Sequence, residues 1–546
     1  MELNSLGTPL ILLLILFFFG GTFLLSLTIG RKRENADNYM TAGNEVGFGI
    51  SAASMTATWI WAASLYASAT SGYTYGISGP IHYGLWGALM ILFIYPFGRR
   101  IRSIAPNAHT LAEILHARHG RSSQLILAGS NLLGSLLSLT SNFIAGGALI
   151  SMLSPVSFSA GILMIGTGVL LYTLWSGVRA SILTDFIQVC AMLGAVVIIV
   201  PAVFFAAGGP EIFSTGAVNL TPSQQSFFSS DAFFNQGAPY IAAVLAYAIG
   251  NQTIAQRLFA VREDKIRQTF VTATIGYGAT VIGVGILGVL ALYLGVEPMD
   301  GDTNNLIPQL ASMYLGPVLL CVFFVMVIGS LASTADSDLA AMSSIVMTDI
   351  YGRNIAQNGN ANPRLLLLVG RTTMITATLA ALFFASSKFN ILELLVLVGA
   401  IWGALVFPVI ASFYWDKVTN KAFSVSVIAA LAAFFPVRFG WIALEGATAF
   451  ATDLLAVIGV GVIAGLMIFG FLGRTAGIAA GLIASIVVLP FGIGFLHQYP
   501  VLTASLLAYA VSMILCVALS WFGRERFDFD RISAKTGNFD TATPTV

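Results

Sequence analysis

Apolar residues run along this chain in long blocks, separated by short segments that collect glycine, proline and charge. Most blocks exceed the roughly 18–20 residues a helix needs to cross the hydrocarbon core. None shows the strict two-residue alternation of an outer-membrane strand, which excludes a β-barrel. Helical spans are expected to begin near residues 8, 48, 80, 122, 157, 181, 238, 268, 310, 363, 390, 421, 452, 475 and 500. The expected fold is therefore an all-α polytopic membrane protein of about fifteen transmembrane helices embedded in a lipid bilayer.

Composition agrees. Of 546 residues, 57% are hydrophobic and only 9% charged, against about 25% charged in a soluble domain, so a water-soluble enzyme is excluded. Basic and acidic residues number 25 and 24, a balance that gives no reason to expect nucleic acid. Cys190, Cys321 and Cys516 sit inside apolar runs without paired spacing, so neither a disulfide framework nor a zinc site is indicated. The five histidines form no metal-ligand or catalytic-triad pattern, and no organic cofactor is expected.

The first block lacks a basic leader and a small-residue cleavage site and ends in Arg31-Lys32-Arg33, so it reads as a retained helix rather than a signal peptide. With that cluster inside, the positive-inside bias orders the other basic groups. Arg99 to Arg102, Arg118 and Arg121, Arg179, the run Arg257 to Arg267, Arg353 and Arg364, Lys417 and Lys421, Arg474, and Arg524 to Lys535 all fall inside. Lys388 and Arg438 fall outside, Arg371 lies within a span, and the stretch 208–237 carries no Lys or Arg. This predicts an outside N-terminus and a cytoplasmic C-terminus in the plasma or inner membrane. The tail Thr536 to Val546 is polar and small-residue rich and is expected to be disordered. With no output module expected on so small a tail, a receptor or sensor is disfavoured.

Ionisable residues at membrane depth cost at least about 2.5–3.5 kcal/mol each on insertion scales and ask for a functional reason. Asp185, Asp336 and Asp338 are such residues; Glu393 and Glu445 read as interfacial. In the ninth span Ser330, Ser333, Thr334, Ser337 and Ser344 share one helical face, flanked by the two acids. Hard cations take oxygen ligands, so this stripe can hold Na⁺ or carry H⁺. The plain alternative is that the hydroxyls bond back to their own helix or permit close packing. The second span, Gly47 to Gly76, is rich in Gly, Ala, Ser and Thr where a simple anchor would carry Leu, and unwound backbone there can line a cavity. Trp59, Trp61, Tyr66, Tyr73 and Tyr75 supply aromatic surface with polar edges, and His82 beside Pro80 and Tyr83 is placed to face a solute.

Together these residues resemble the sodium/solute symporter family over roughly residues 40 to 415. The resemblance is carried by Leu183-Thr-Asp-Phe-Ile-Gln188, by Asn251-Gln252 followed by Gln256-Arg257, and by Ser333-Thr334 placed ahead of Asp349-Ile-Tyr351. Thr58-Trp-Ile-Trp-Ala-Ala-Ser64, Tyr75-Gly-Ile-Ser-Gly-Pro80 and Ala105-Pro-Asn-Ala-His-Thr110 are most similar to its high-affinity urea transporters. The resemblance implies a LeuT-type five-plus-five inverted repeat with substrate and ion at the midplane. It divides the chain into an extra N-terminal helix and linker (1–40), the ten-helix core (41–415), four C-terminal helices (416–523) and a tail (524–546).

It further implies a first Na⁺ site on the carbonyls of Ala53, Thr56 and Ser330 and the hydroxyls of Ser333 and Thr334. A possible second Na⁺ or H⁺ site falls on Asp185, Asp336 and Ser337. Asp336 stands where relatives carry Ser, so two carboxylates would share a cation or a proton. Tyr247 maps to an aromatic inner gate, and Trp59, Trp61, His82, Tyr83, Tyr247 and Asn251 are the expected substrate residues. Ile60 and Val244 replace the polar side chains of sugar transporters. The expectation is symport of a small polar solute, most plausibly urea, with Na⁺ or H⁺. Symport of an amino acid, polyamine or carboxylate, or an uncoupled urea facilitator, stands as the alternative.

Overall fold

The computed structural model describes residues 3–29, 40–356, 362–521 and 526–537. Arg31 to Arg33, Arg524, the tail beyond Gly537 and the side chain of Arg179 lie outside that set. Among the described residues, 13 helices are long and apolar enough to cross a membrane. Two further crossings are less regular. The second expected span is two half-helices, α2 (Phe48–Trp59) and α3 (Ala62–Tyr75), after the lipid-facing α1 (Thr8–Ile29). There follow α4 (Ser78–Leu92), α5 (Ile94–Ile104), the short α6 (Leu111–His119) and the long α7 (Arg121–Leu153).

The other irregular crossing lies within α8 (Phe158–Ala206). Ile165 lies with Leu331 against Gly146, while Met192 lies against Gly329. A straight helix would hold Ile165 and Met192 about 40 Å apart, so α8 is a hairpin of two antiparallel crossings, which agrees with about fifteen in all.

The second half opens with α9 (Ala238–Gly250) and α10 (Gln252–Ala260), again one span in two pieces, then α11 (Ile266–Tyr293). The break has a local cause. Asn251 leaves helical geometry at φ −95, ψ 118, and its side-chain oxygen accepts the Thr253 N–H at 2.8 Å, starting a new helix as an N-cap. The ninth span, α12 (Pro317–Ile345), begins later than the expected residue 310, because Leu306–Tyr314 forms a separate short helix, and it runs on as a π-helix over Val346–Ile355. Then come α13 (Pro363–Ala385), α14 (Ile391–Tyr414), α15 (Asn420–Arg438), α16 (Gly446–Leu472), α17 (Arg474–Gly492), α18 (Pro500–Trp521) and a last short α19 (Asp530–Lys535).

The first and last described segments sit at opposite ends of the bundle, as an odd number of crossings between them requires. Near the N-terminus, the Leu6 N–H donates to the Leu153 carbonyl at 2.7 Å, at the far end of α7. At the near end of α7, Gln124 donates to Asp349, and the last described residue, Gly537, bonds to Glu113 on α6.

Inside the bundle, glycines let backbones touch. On α3, Ser68 donates to the Val281 carbonyl of α11 at 2.8 Å. A Cβ on Gly285 would meet Ser68 and Pro80, and one on Gly288 would run into the Ala69 carbonyl. Small residues at such a crossing replace the hydrophobic driving force that lipid does not supply. Gly288→Val should therefore cost about 3 kcal/mol, read as a lower thermal transition and a reduced yield of folded protein in detergent; a variant as stable as the parent would show that α3 and α11 can separate freely.

Candidate transport site

Where α2 stops, its last carbonyls lose their helical partners. At membrane depth they must be bonded by protein. The Thr56 carbonyl accepts the Ile60 N–H at 2.9 Å and that of Trp59 accepts the Trp61 N–H at 3.0 Å. The other three are met from α12: Ser333 donates to Ala57 O at 2.8 Å, Thr334 to Thr58 O at 2.9 Å, and Ser330 to Ile60 O. The hydroxyl stripe thus faces the helix break. The carbonyl of Ser330 lies in the same cluster, 3.3 Å from the Ser333 hydroxyl.

The hydroxyls of Ser333 and Thr334 face the carbonyls of Ala57 and Thr58. Of the two expected carbonyl ligands on α2, Ala53 lies a turn back inside the helix and Thr56 stands next to Ala57, its carbonyl also accepting the Ile60 N–H. The cluster remains one of neutral oxygens, the donor set that suits a hard monovalent cation. Among the described residues no group of three or more His, Cys, Asp or Glu could hold a metal ion.

One turn further along α12 the expected trio of Asp185, Asp336 and Ser337 comes together, with a cation that the sequence reading placed elsewhere. Arg257, expected in the cytoplasmic run, is buried on α10, its side chain 2% exposed. One terminal nitrogen lies 3.2 Å from Asp185, 3.2 Å from Ser181 and 2.5 Å from Ser337. Asp185 also accepts from Ser54 at 2.6 Å, and Asp336 from Ser181 at 2.9 Å, Tyr172 at 3.1 Å and Ser337 at 3.1 Å. The guanidinium occupies the space between Ser337 and Asp185 where a second ion was expected. A buried pair of this kind, with its hydroxyls satisfied, is strongly destabilised by loss of either partner. Asp338 points the other way, accepting from Ser138 of α7 at 2.6 Å.

Above the break, four of the expected substrate residues converge. Trp59, Trp61, Tyr83 and Tyr247 line a small cavity with Ser64, Gly87, Met90, Tyr240, Tyr277 and Leu395. Tyr247 stands 5.8 Å from Trp59 and 6.2 Å from Trp61 between ring centroids, and its hydroxyl donates to Leu395 O at 2.8 Å. Trp59 donates to Gly87 O at 3.2 Å and Tyr83 to Ser64 at 3.2 Å. Trp61 Nε1 is buried and donates to nothing among the described residues. The lining carries no charged side chain, and its space of ≈ 20 Å³ is little more than one water needs.

His82 and Asn251 do not join them. Neighbours on a helix lie about 100° apart, so with Tyr83 turned to the cavity His82 faces away, accepting from Trp86 at 3.2 Å and packing on Phe233. Asn251 is spent on capping α10. Ser64, Tyr240 and Tyr277 were not singled out from the sequence. For the last two a signal existed, a phenolic oxygen where the surrounding span is apolar.

Comparison with known proteins agrees with this architecture. The profile described as the sodium:solute symporter family matches residues 39–429. A urea–proton symporter of Oryza sativa is 23% identical over 424 residues, 71% of this chain and 58% of its own length. A probable urea active transporter of Schizosaccharomyces pombe is 23% identical over 429 residues, covering 73% and 64%. The chain therefore spans about three fifths of the length of these urea relatives. The sodium/pantothenate symporter of Escherichia coli is 25% identical over 415 residues, covering 73% and 84%. Among solved structures, a substrate-bound, outward-open Na⁺-coupled sialic acid symporter shares the fold, with a TM-score of 0.68 at 18% identity over 87% of this chain and 97% of that one. With the family profile spanning the paired broken helices and the oxygen cluster between them, the chain belongs to the sodium:solute symporter family, one of transporters rather than enzymes.

Proposed function

We propose that this protein is a secondary active symporter of the cell membrane, N-terminus outside, which couples inward flux of a cation to uptake of a small neutral polar solute by alternating access, with urea the best fit. The observation that carries the solute class is the lining of the cavity. Aromatic faces, hydroxyls and one unpartnered indole N–H surround it, and no side chain there could neutralise a carboxylate or an ammonium group. Burying a charged solute without a partner costs several kcal/mol, whereas a neutral amide gains a donor to its carbonyl from Trp61. Proline and pantothenate, for which other relatives are named, each carry a carboxylate that this lining leaves unpaired, whereas urea carries none.

Na⁺ suits the hydroxyl–carbonyl cluster of Ala57, Thr58, Ser330, Ser333 and Thr334. Arg257 supplies the positive charge at the second expected position, which supports one coupling ion rather than two. Tyr247, wedged between both tryptophans and the α14 backbone, closes the cavity as its gate. H⁺ coupling, which the rice relative's name carries, is the other outcome that the transport measurement distinguishes.

In proteoliposomes, labelled urea should accumulate under an imposed sodium gradient, and proline and pantothenate should not compete. Concentration driven by a pH gradient alone would move the coupling ion to H⁺, and absence of any gradient effect would make the protein a facilitator. Ser333→Ala with Thr334→Ala removes two of five oxygens and should weaken sodium activation on the order of a hundredfold; sodium dependence equal to the parent would reject the cluster as the ion site.

Arg257→Gln strands Asp185 and should destabilise by about 3–5 kcal/mol, whereas Arg257→Gln with Asp185→Asn should recover most of that loss. Thermal unfolding in detergent checks both, and a single variant as stable as the parent would mean that the pair is not held as described.

A further inference from the structure

The last described segment, residues 526–537, is tied down against the end of the bundle beneath the cavity. The Phe527 N–H donates to the Asp416 carbonyl at 3.1 Å, just past α14. Its ring lies under the Arg118 guanidinium at 4.1 Å, and Arg118 also donates to the carbonyls of Trp415 and Asp416 at 3.3 and 3.0 Å. Phe529 stacks on Arg100 of α5 at 5.0 Å. Ile532 of α19 is completely buried.

The far end lands on one residue. The Gly537 N–H donates to Glu113 of α6 at 2.9 Å, and its carbonyl accepts from Arg353, at the end of the π-helix, at 3.2 Å. Arg353 also pairs with Glu113. Gly537 has φ +80, and a Cβ there would lie 2.6 Å from the Asn107 carbonyl, so a side chain is excluded by both conformation and space. Burial would raise the Glu113 carboxyl, but His109 and Arg353 outweigh it and hold it at about 2, so this anchor stays charged at any physiological pH.

What the segment spans gives it a purpose. The loop and α6 that receive Gly537 also hold the start of α10. Leu111 N–H donates to Gln252 at 3.1 Å, and Gln252 donates to His109 O at 3.0 Å. Arg353 belongs to α12, Asp416 to the end of α14 and Arg100 to α5. Beside these attachments the segment forms one wall of an open cleft of ≈ 780 Å³ whose other side carries Tyr414 and Ser103. It is fastened at both ends and packed at its middle through Ile532, so that it ties several elements together without crossing the membrane. A solute leaving past Tyr247 on this side requires α10 to move from α6.

Resting on the alternating-access reading above, we propose that residues 527–537 form a latch that holds the cytoplasmic side closed by tying the α6 loop, the end of α12 and the end of α14 together. Its release opens the inward path, so docking of the segment sets how often the inward-open state is visited.

The test uses the full chain with Cys190, Cys321 and Cys516 replaced by Ala and a reporter, Leu395→Cys, in the cavity. Labelling by a membrane-impermeant maleimide is followed from the cytoplasmic face of inside-out vesicles. Gly537→Val, which cannot dock, and Phe527→Ala with Phe529→Ala, which loosens the other end, should each speed labelling by about fivefold or more at unchanged folded yield. Rates within about twofold of the parent in both variants, or a fall in yield without faster labelling, would overturn the latch. Because labelling reads opening whatever the solute, failure here is separate from failure of the urea assignment.

Discussion

Five backbone carbonyls between Thr56 and Ile60 have to be bonded at a depth where water is absent, and much of the core is arranged around that demand. Breaking the helix there exposes a concave, polar patch beside the aromatic cavity. Leaving any of the carbonyls unpaired would cost about 1–3 kcal/mol. The answer is a facing helix whose successive turns carry hydroxyls. The same oxygens that satisfy one another without an ion are suited to turn toward one. Structure and ion binding therefore draw on a single set of groups.

The charged layer below obeys the same logic with higher stakes. Two carboxylates, Asp185 and Asp336, would repel each other in a low-dielectric interior. Arg257 and hydroxyls from Ser54, Tyr172, Ser181 and Ser337 offset this in part, while Asp185 Oδ1 and the Arg257 Nε and Nη1 atoms stay buried with no partner among the described residues. Because Arg257 comes from α10 while the acids come from α8 and α12, the pairing joins the second broken helix to the two elements that also support the first.

The spans were legible because lipid imposes a length and a polarity that few other sequences meet, and the hydroxyl stripe was legible because helical spacing alone puts Ser330, Ser333 and Thr334 on one face. Depth and rotation were less so. Arg257 reads as one more member of a cytoplasmic run, since counting positive residues assigns a side and not a burial. Its place directly after the Asn251 break was the available clue. His82 and Tyr83 are equally polar-edged in the sequence, but only one of two neighbours can face a given cavity. That the hydroxyls of Ser333 and Thr334 bond the carbonyls of Ala57 and Thr58 was not legible, because it depends on where α2 unwinds, which propensity does not fix among residues as small as these. The stretch expected to be disordered begins at Thr536; Thr536 and Gly537, its two described residues, are bonded, and the segment ahead of it is held through Phe527 and Phe529.

The glycine contact between α3 and α11 has a mechanical consequence. Where Gly288 meets the Ala69 backbone with no side chain between them, there is nothing to re-rotamer and no layer on which to slide. The two helices behave as one rigid beam. Contacts built from hydroxyls and carbonyls, such as those joining α2 to α12, can change partners only if every carbonyl finds a new one, as it would where a cation takes the place of a hydroxyl. Relative motion is thereby steered away from the tightest interface and toward the most polar one, where the bearing surface and the proposed ion-binding surface are the same.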